Sequence, residues 1–272
     1  MKQRIDHVLV EKGYFATRQK AKYAIENKCV YVGEQLIEKV SKQIDTEDKI
    51  EIRGEILPYV SRGGLKLEKA ITVFRIQLQN KVTMDIGAST GGFTDCMLQN
   101  GALQVYAVDV GHDQLDEKLK QDKRVVNLEG TNIREIENEK FAPMDMISID
   151  VSFISLTQVL DKAFLLLKDK GELIVLIKPQ FEAGSDNINK NGVVKDKKVH
   201  RKVIEKIIIY ANSLSFALKG IDYSPIKGPA GNIEYLSYFT KQEAKESMDL
   251  FSLRQTIDQV VEKAHKELKD KK

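Results

Sequence analysis

The sequence is poor in cysteine. Cys29 and Cys96 are the only two among 272 residues, far apart and without a CxxC spacing or a histidine cluster beside either. That excludes a disulfide framework, suggests no structural zinc site and fits a reducing, cytoplasmic setting. Long apolar runs are missing too. Runs such as LIVLI at Leu173 to Ile177 fall far short of a membrane span, and the opening MKQRIDHVLVEKGYF lacks the continuous apolar core of a secretory signal. No obligatory membrane association is expected. Net charge is small, +3 at pH 7, so the distribution of charge says more about partners than its total. No internal repeat or low-complexity segment stands out. What the chain has is 42% hydrophobic and 31% charged residues, enough to bury a sizeable core. Its length suggests about two domains.

Residues 1–58 read as a small α+β module. Ile5, Val8 and Leu9 share one helical face, Thr17 stands where an N-cap would open a second helix through Ala21 and Ile25, and short extended runs follow around CVYV at Cys29 to Val32 and KIEI at Lys49 to Ile52. Its charge is uneven: Lys2, Arg4, Lys12, Arg18, Lys20, Lys22 and Lys28 meet only Asp6, Glu11 and Glu26 in the same stretch. Such a face is either an RNA-binding surface or an ordinary solvated helix face.

Pro58 and the pair Gly63, Gly64 mark a boundary, with residues 59–62 as a linker. Over residues 63–240 strand-like runs alternate with amphipathic stretches: Val82 to Ile86, Gln104 to Asp109, Arg124 to Leu128, Met144 to Asp150, Glu172 to Lys178, Ala217 to Tyr223 and Ile233 to Phe239. Seven strands in this alternation predict an α/β, doubly wound parallel sheet, the Rossmann-like form of which is what the family resemblance given below implies. Residues 241–272 place Leu253, Ile257, Val260, Val261, Ala264 and Leu268 at helical spacing, as in a docking, membrane-surface or dimer helix.

The stretch VTMDIGASTGGF joins the first of these strands to a glycine-rich turn. Gly87, Gly91 and Gly92 would let backbone approach a ligand at the carboxyl end of the strand. Their G-x-x-x-G-G spacing matches neither the dinucleotide fingerprint nor the P-loop, which argues against a nicotinamide dehydrogenase and against phosphate. Asp109 ends the second strand, where a carboxylate can take both hydroxyls of a ribose. Asp85 adds a negative charge that would repel a pyrophosphate but suits the ammonium and sulfonium of S-adenosylmethionine, the expected cofactor. Packing alone is the competing reading of the glycines.

If methyl transfer is the reaction, the acceptor needs its own machinery. The fourth strand ends in SIDVSF rather than the Asn- or Asp-Pro-Pro-aromatic turn of amine methylases, and neither cysteine is placed as a base-carbon methylase would need it. Instead Lys66, Asp150, Lys178 and Glu234 fall at strand ends or lead into them, and charged residues at such positions require partners. Together they form either an ion-pair network or a catalytic group. A noncatalytic pore-forming hemolysin would need a membrane-inserting segment, and the apolar runs offer none.

Through SRGGLKLEKA, DIGASTGGFTDCML, YAVDVG, DVSFISL, KPQFEAG, GVV at Gly192 to Val194 and GNIEYL, nearly the whole chain resembles the TlyA family of ribosomal RNA 2'-O-methyltransferases, also known as hemolysins. Its carboxyl two-thirds resemble the wider RrmJ/FtsJ-type methyltransferases. The resemblance implies an amino-terminal RNA-binding module of the ribosomal-protein type, and Arg4, Arg18, Lys20, Lys22 and Arg62 are the candidate RNA contacts. It also implies a Lys-Asp-Lys-Glu tetrad at Lys66, Asp150, Lys178 and Glu234, and cofactor positions at Asp85, Gly87, Gly91, Phe93, Asp109 and Asn132. The implied reaction is attack of a ribose 2'-oxygen, that of cytidine in the family's targets, on the sulfonium methyl of S-adenosylmethionine. No metal is required, because the leaving group departs as a neutral thioether. Lys178 would act as base or as orienting group, and the partner would be ribosomal RNA or ribosomal subunits. Two departures are visible: LPYVSRGG lacks the Arg and Trp that some members carry before Val-Ser-Arg, and Gly33 lacks a preceding Asn.

Overall fold

Five consecutive apolar residues can all be buried only where both faces of their strand are covered. In the computed structural model this is the environment of Leu173 to Ile177: Leu173, Val175 and Ile177 enter one core, while Ile174 and Leu176 enter another. Residues 2–15, 18–26, 28–54, 57–245 and 247–269 are described, without the side chains of Gln19, Lys20 and Tyr23. The chain divides into two units, Met1–Pro58 and Tyr59–Lys272.

The small unit runs β1 (Lys2–Arg4), α1 (Ile5–Glu11), α2 (Arg18–Glu26), β2 (Val30–Val32), β3 (Gln35–Leu36), β4 (Gln43–Asp45) and β5 (Ile50–Ile52). Ile5, Val8 and Leu9 of α1 pack with Ala21 and Ile25 of α2, so both expected apolar faces meet in one core. The extended runs around Tyr31 and Glu51 pair antiparallel as β2 and β5, and β3 joins β2. The β1–β4 pair had no sequence signal, because three-residue strands of mostly polar side chains carry no period. The N-cap expected at Thr17 lies outside the described residues.

The large unit runs α3 (Gly63–Phe74), β6 (Val82–Ile86), α4 (Gly92–Gln99), β7 (Gln104–Val108), α5 (Glu117–Lys120), β8 (Val125–Leu128), β9 (Met144–Ile149), α6 (Leu160–Leu166), β10 (Leu167–Ile177), α7 (Pro179–Glu182), α8 (Lys197–Ser213), β11 (Phe216–Tyr223), β12 (Tyr235–Lys241) and α9 (Leu250–Glu267). Seven strands form one sheet in the order β11-β12-β10-β9-β6-β7-β8. Residues of α3, α4 and α5 share one core with the sheet, and those of α6, α8 and α9 share the other. The sheet departs from the wholly parallel arrangement expected, since β12 runs antiparallel to both β10 and β11. A parallel return needs a crossover element, and only the helix-free loop from Ser224 to Glu234 links β11 to β12, so the chain comes back reversed. Leu253, Ile257, Val261, Ala264 and Leu268 bury one face of the carboxyl-terminal helix in the α8 core.

Candidate active site

β6 and β9 are neighbours where the strand order reverses, so the loops that follow them open a crevice at the carboxyl edge of the sheet. The two loops touch. Asp150 N donates to Ile86 O at 2.9 Å, and a Cβ on Gly87 would lie 2.5 Å from the Asp150 carbonyl oxygen. Gly87 is therefore required both by that approach and by its φ of +87°. Between these loops and the end of β7 lies a cavity of about 460 Å³, within the roughly 300–1,000 Å³ of small-molecule sites. Gly87, Asp109, Asn132 and Asp150 all line it.

Asp109 is set by backbone. Its Oδ2 accepts from Ser89 N and its Oδ1 from Gly111 N, each at 2.8 Å. Each oxygen keeps lone-pair capacity for a further donor such as a diol. Asn132 opens the single turn Ile133–Glu135, accepting from Arg134 N at 3.2 Å and donating to Glu135 Oε1 at 2.7 Å. The other three expected cofactor residues stand behind the cavity wall. Gly91 has φ +91°, and a Cβ there would meet Leu119 Cδ1 at 2.2 Å. Phe93 is buried in the α4 core.

Asp85 is fully buried; Thr94 Oγ1 donates to its Oδ2 at 2.7 Å and Ser148 Oγ to its Oδ1 at 2.9 Å. Burial pushes this carboxyl up to about 6 against the pull of those two hydrogen bonds. The side chain thus ties α4 to β9, both its oxygens are turned to hydroxyls, and it is not among the residues that line the cavity.

The four charged residues picked from strand ends come together although they are scattered in sequence. Lys66 lies in α3, while Asp150 and Lys178 follow β9 and β10. Because β12 is reversed, its amino end lies at the same edge, with Tyr235 paired to Ile177, and so Glu234 arrives beside them. Lys66 Nζ donates to Glu234 Oε2 at 2.7 Å and stands 3.8 Å from Asp150 Oδ2. Lys178 Nζ stands 2.6 Å from Asp150 Oδ1 and donates to Ser152 Oγ at 2.9 Å. Burial alone would push Lys66 down, but Asp150 and Glu234 outweigh it and hold its ammonium above the ordinary value. Two cations and two anions thus balance in a buried chain, Glu234–Lys66–Asp150–Lys178.

Sequence reasoning missed the rest of the loop after β9. Ser152 and Phe153 both line the cavity. Phe153 is 91% exposed and has φ +63°, a strained setting for an aromatic residue. Its ring lies 5.0 Å from that of Phe181, whose centroid is 5.9 Å from Lys178 Nζ. Only adjacency to Asp150 in SIDVSF could have drawn attention to these residues. Both cysteines are buried; burial raises the Cys29 thiol and pushes that of Cys96 up to about 12, which makes neither a nucleophile.

In the small unit the expected RNA-binding arginines have a partner. Asp6, 2% exposed, is 3.0 Å from Arg4 Nε and 2.6 Å from Arg18. Burial raises the Asp6 carboxyl, yet the two arginines hold it below the usual range. Lys22 pairs with Glu26 at 3.6 Å, the side chain of Lys20 lies outside the described residues, and Arg62 is exposed. Among the described residues no helix is long and apolar enough to cross a membrane.

Residues 59–241 match the FtsJ-like methyltransferase family and residues 3–50 match the S4 domain. YqxC of Bacillus subtilis (strain 168), whose name proposes an rRNA methyltransferase, is 46% identical over 274 residues, covering 100% of this chain and 97% of that one. The 16S/23S rRNA (cytidine-2'-O)-methyltransferase TlyA of Mycobacterium tuberculosis is 35% identical over 241 residues, 88% of this chain and 90% of that one. A solved structure from Streptococcus thermophilus, named as a proposed hemolysin, has a TM-score of 0.76 at 44% identity and covers 98% of this chain and 97% of its own. Matches of this length and identity make the chain a member of the FtsJ-like methyltransferases, in the TlyA family that carries an S4 domain ahead of the methyltransferase domain.

Proposed function

We propose that this protein is an S-adenosylmethionine-dependent enzyme that methylates the ribose 2'-oxygen of cytidine in ribosomal RNA, acting in the cytoplasm on rRNA or ribosomal subunits. The observation that carries the reading is the buried Glu234–Lys66–Asp150–Lys178 chain, one member of which, Asp150, also walls the cavity. The chemistry named for the TlyA relative of Mycobacterium tuberculosis supports the choice of ribose and base.

The donor set fits the cofactor. Asp109 would hold its ribose hydroxyls, and Gly87 and Asn132 would line its seat, while Asp85, Gly91 and Phe93 shape the loop from behind. When bound, the cofactor supplies an electrophilic methyl group on a sulfonium that leaves as a neutral thioether. The chain's own work is then alignment and charge stabilisation. Lys178 is the group that meets the 2'-oxygen. Its Nζ is held 2.6 Å from Asp150 Oδ1, which places it to act on the hydroxyl as base or as orienting group, with the hydroxyl proton finally passing to solvent. Lys66 fixes both carboxylates and thereby the position of Lys178. Phe153 and Phe181 offer aromatic faces beside Lys178 on which the target base can stack. Residues 1–58 bind RNA through Arg4, Arg18, Lys20 and Lys22, the linker 59–62 adds Arg62, residues 63–240 form the catalytic domain, and α9 (Leu250–Glu267), within the carboxyl-terminal stretch, closes one of its cores.

Mapping 2'-O-methyl marks in rRNA from cells with and without the gene tests the reading. At least one cytidine mark should disappear, return with the wild-type chain and stay absent with Lys178→Ala. Identical maps in all strains would sink it.

A further inference from the structure

Many basic side chains of the large unit are committed to carboxylates, as Lys69 is to Asp222, Arg124 to Asp122, Lys168 to Asp145 and Lys197 to Glu262. Lys190, Lys195 and Lys227 make no ion pair among the described residues, and the first two are exposed. They are also fixed next to the ion-paired chain. Asn232, 1% exposed, accepts from Val194 N at 3.0 Å and donates to Gly192 O at 2.8 Å. Gly192 N donates to Asn189 O at 2.9 Å and Asn189 N to Val193 O at 3.1 Å, which closes a turn around Lys190. On the other side Gly228 N donates to Asn232 O at 2.9 Å, and a Cβ on Gly228 would lie 2.4 Å from Glu234 Oε1. One asparagine thus latches the segment 189–195 to the turn 227–232, and that turn rests on Glu234. The nearest acid of the loop, Asp196, faces the start of α8, where it accepts from Lys198 N at 2.8 Å.

We infer that residues 189–195, held by Asn232, form with Lys227 a phosphate-contacting rim, by which the methyltransferase unit itself grips the RNA backbone beside the nucleotide it modifies. The inference rests on the proposed function for the identity of the nucleic acid. A 2'-hydroxyl in RNA always has a phosphate on either side, so an acceptor seated at Lys178 brings two or more phosphates to this edge. Three ammonium groups without an ion pair among the described residues, on two segments latched by Asn232, are suited to meet them, whereas lysines already paired would first have to break an ion pair.

The test uses the full chain carrying Lys190→Ala, Lys195→Ala and Lys227→Ala together. The control is Lys123→Ala, an exposed lysine without an ion pair that precedes β8 at the opposite edge of the sheet. Binding of deproteinised rRNA is titrated at several salt concentrations, and methyl transfer is measured as a function of RNA concentration. The triple variant should bind roughly tenfold or more weakly, with a salt slope shallower by about two, since each of three lost contacts to single-stranded phosphates removes about 0.7 of a released counterion. KM for RNA should rise in step, kcat at saturating RNA should hold, S-adenosylmethionine affinity should be unchanged, and three Lys→Arg changes should keep wild-type binding. An unchanged affinity and slope, or an equal loss in Lys123→Ala, would overturn the rim. Because binding is read directly, failure of the rim is distinguishable from failure of the proposed function, which falls if the wild-type chain binds rRNA but transfers no methyl group to it.

Discussion

Replacing Asp85 with Asn separates a residue that touches the cofactor from one that supports the site. The carboxylate is fully buried and its folded-state pKa is pushed up to about 6 from 3.8. The direction is opposite to that of a salt-bridged acid, so the sign runs the other way. Between the two values the folded chain holds a proton that the unfolded chain has lost, and stability contributed by this group falls as pH rises through that window. At pH 7.5, above both values, burying Asp85 costs about 3 kcal/mol relative to a permanently protonated carboxyl, and at pH 5.0, where the folded carboxyl is largely protonated, roughly half as much. Asparagine cannot ionise and keeps one oxygen for Thr94 or Ser148, while the other hydroxyl must turn to accept, at a cost of about 1 kcal/mol. Asp85→Asn should therefore be about 2 kcal/mol more stable than wild type at pH 7.5, and its advantage should shrink by about 1 kcal/mol at pH 5.0. Urea unfolding followed by circular dichroism at the two pH values measures both quantities. S-adenosylmethionine binding by calorimetry should stay within a few fold, because Asp85 does not line the cavity. A variant less stable than wild type at pH 7.5, or folded yet unable to bind the cofactor, would refute this reasoning and return Asp85 to direct contact.

Other substitutions follow from the same geometry. Asp109→Ala should weaken S-adenosylmethionine binding by about 1 to 3 kcal/mol, the scale of hydrogen bonds to a charged group; calorimetry on the folded variant showing full affinity would remove Asp109 from the ribose role. Lys178→Ala should abolish methyl transfer and leave cofactor affinity nearly intact, whereas loss of both would mark a structural lysine. Lys22→Ala should weaken rRNA binding and flatten its salt dependence without moving the melting temperature, since among the described residues Lys22 pairs with the exposed Glu26 alone. Arg4→Ala with Arg18→Ala should lower both RNA affinity and the melting temperature of the small unit, because the buried Asp6 then loses its partners; unchanged melting would mean that Asp6 does not depend on them.

Fold legibility followed period. The runs that became β6, β7, β9 and β10 stood out because strands buried on both faces leave few polar interruptions. The helices α1 and α9 showed one apolar face each. The reversal of β12 was hidden, because an apolar run reads the same in either direction and only the lack of a crossover helix before it carries the information. The cofactor side was half legible: glycine spacing and strand-end acids pointed to the crevice, but nothing in a sequence says whether an aspartate at a strand end looks outward, as Asp109 does, or inward to two hydroxyls, as Asp85 does.

Charge was the least legible property, for a reason that unites both units. Counting acids against bases along residues 1–28 left lysines and arginines in surplus, yet both arginines, Arg4 and Arg18, converge on one buried carboxylate, Asp6. Counting within the catalytic motifs would likewise miss that Lys66 and Glu234, 168 residues apart, are hydrogen-bonded partners. Burial decides which charges must pair, since an isolated ion in the interior is too costly to keep, and burial is a property of the fold rather than of the local sequence. The charges left over after that pairing are the ones available to an incoming polyanion. That is why the exposed, unpaired lysines latched beside Glu234 say more about where RNA is held than the basic count of either unit.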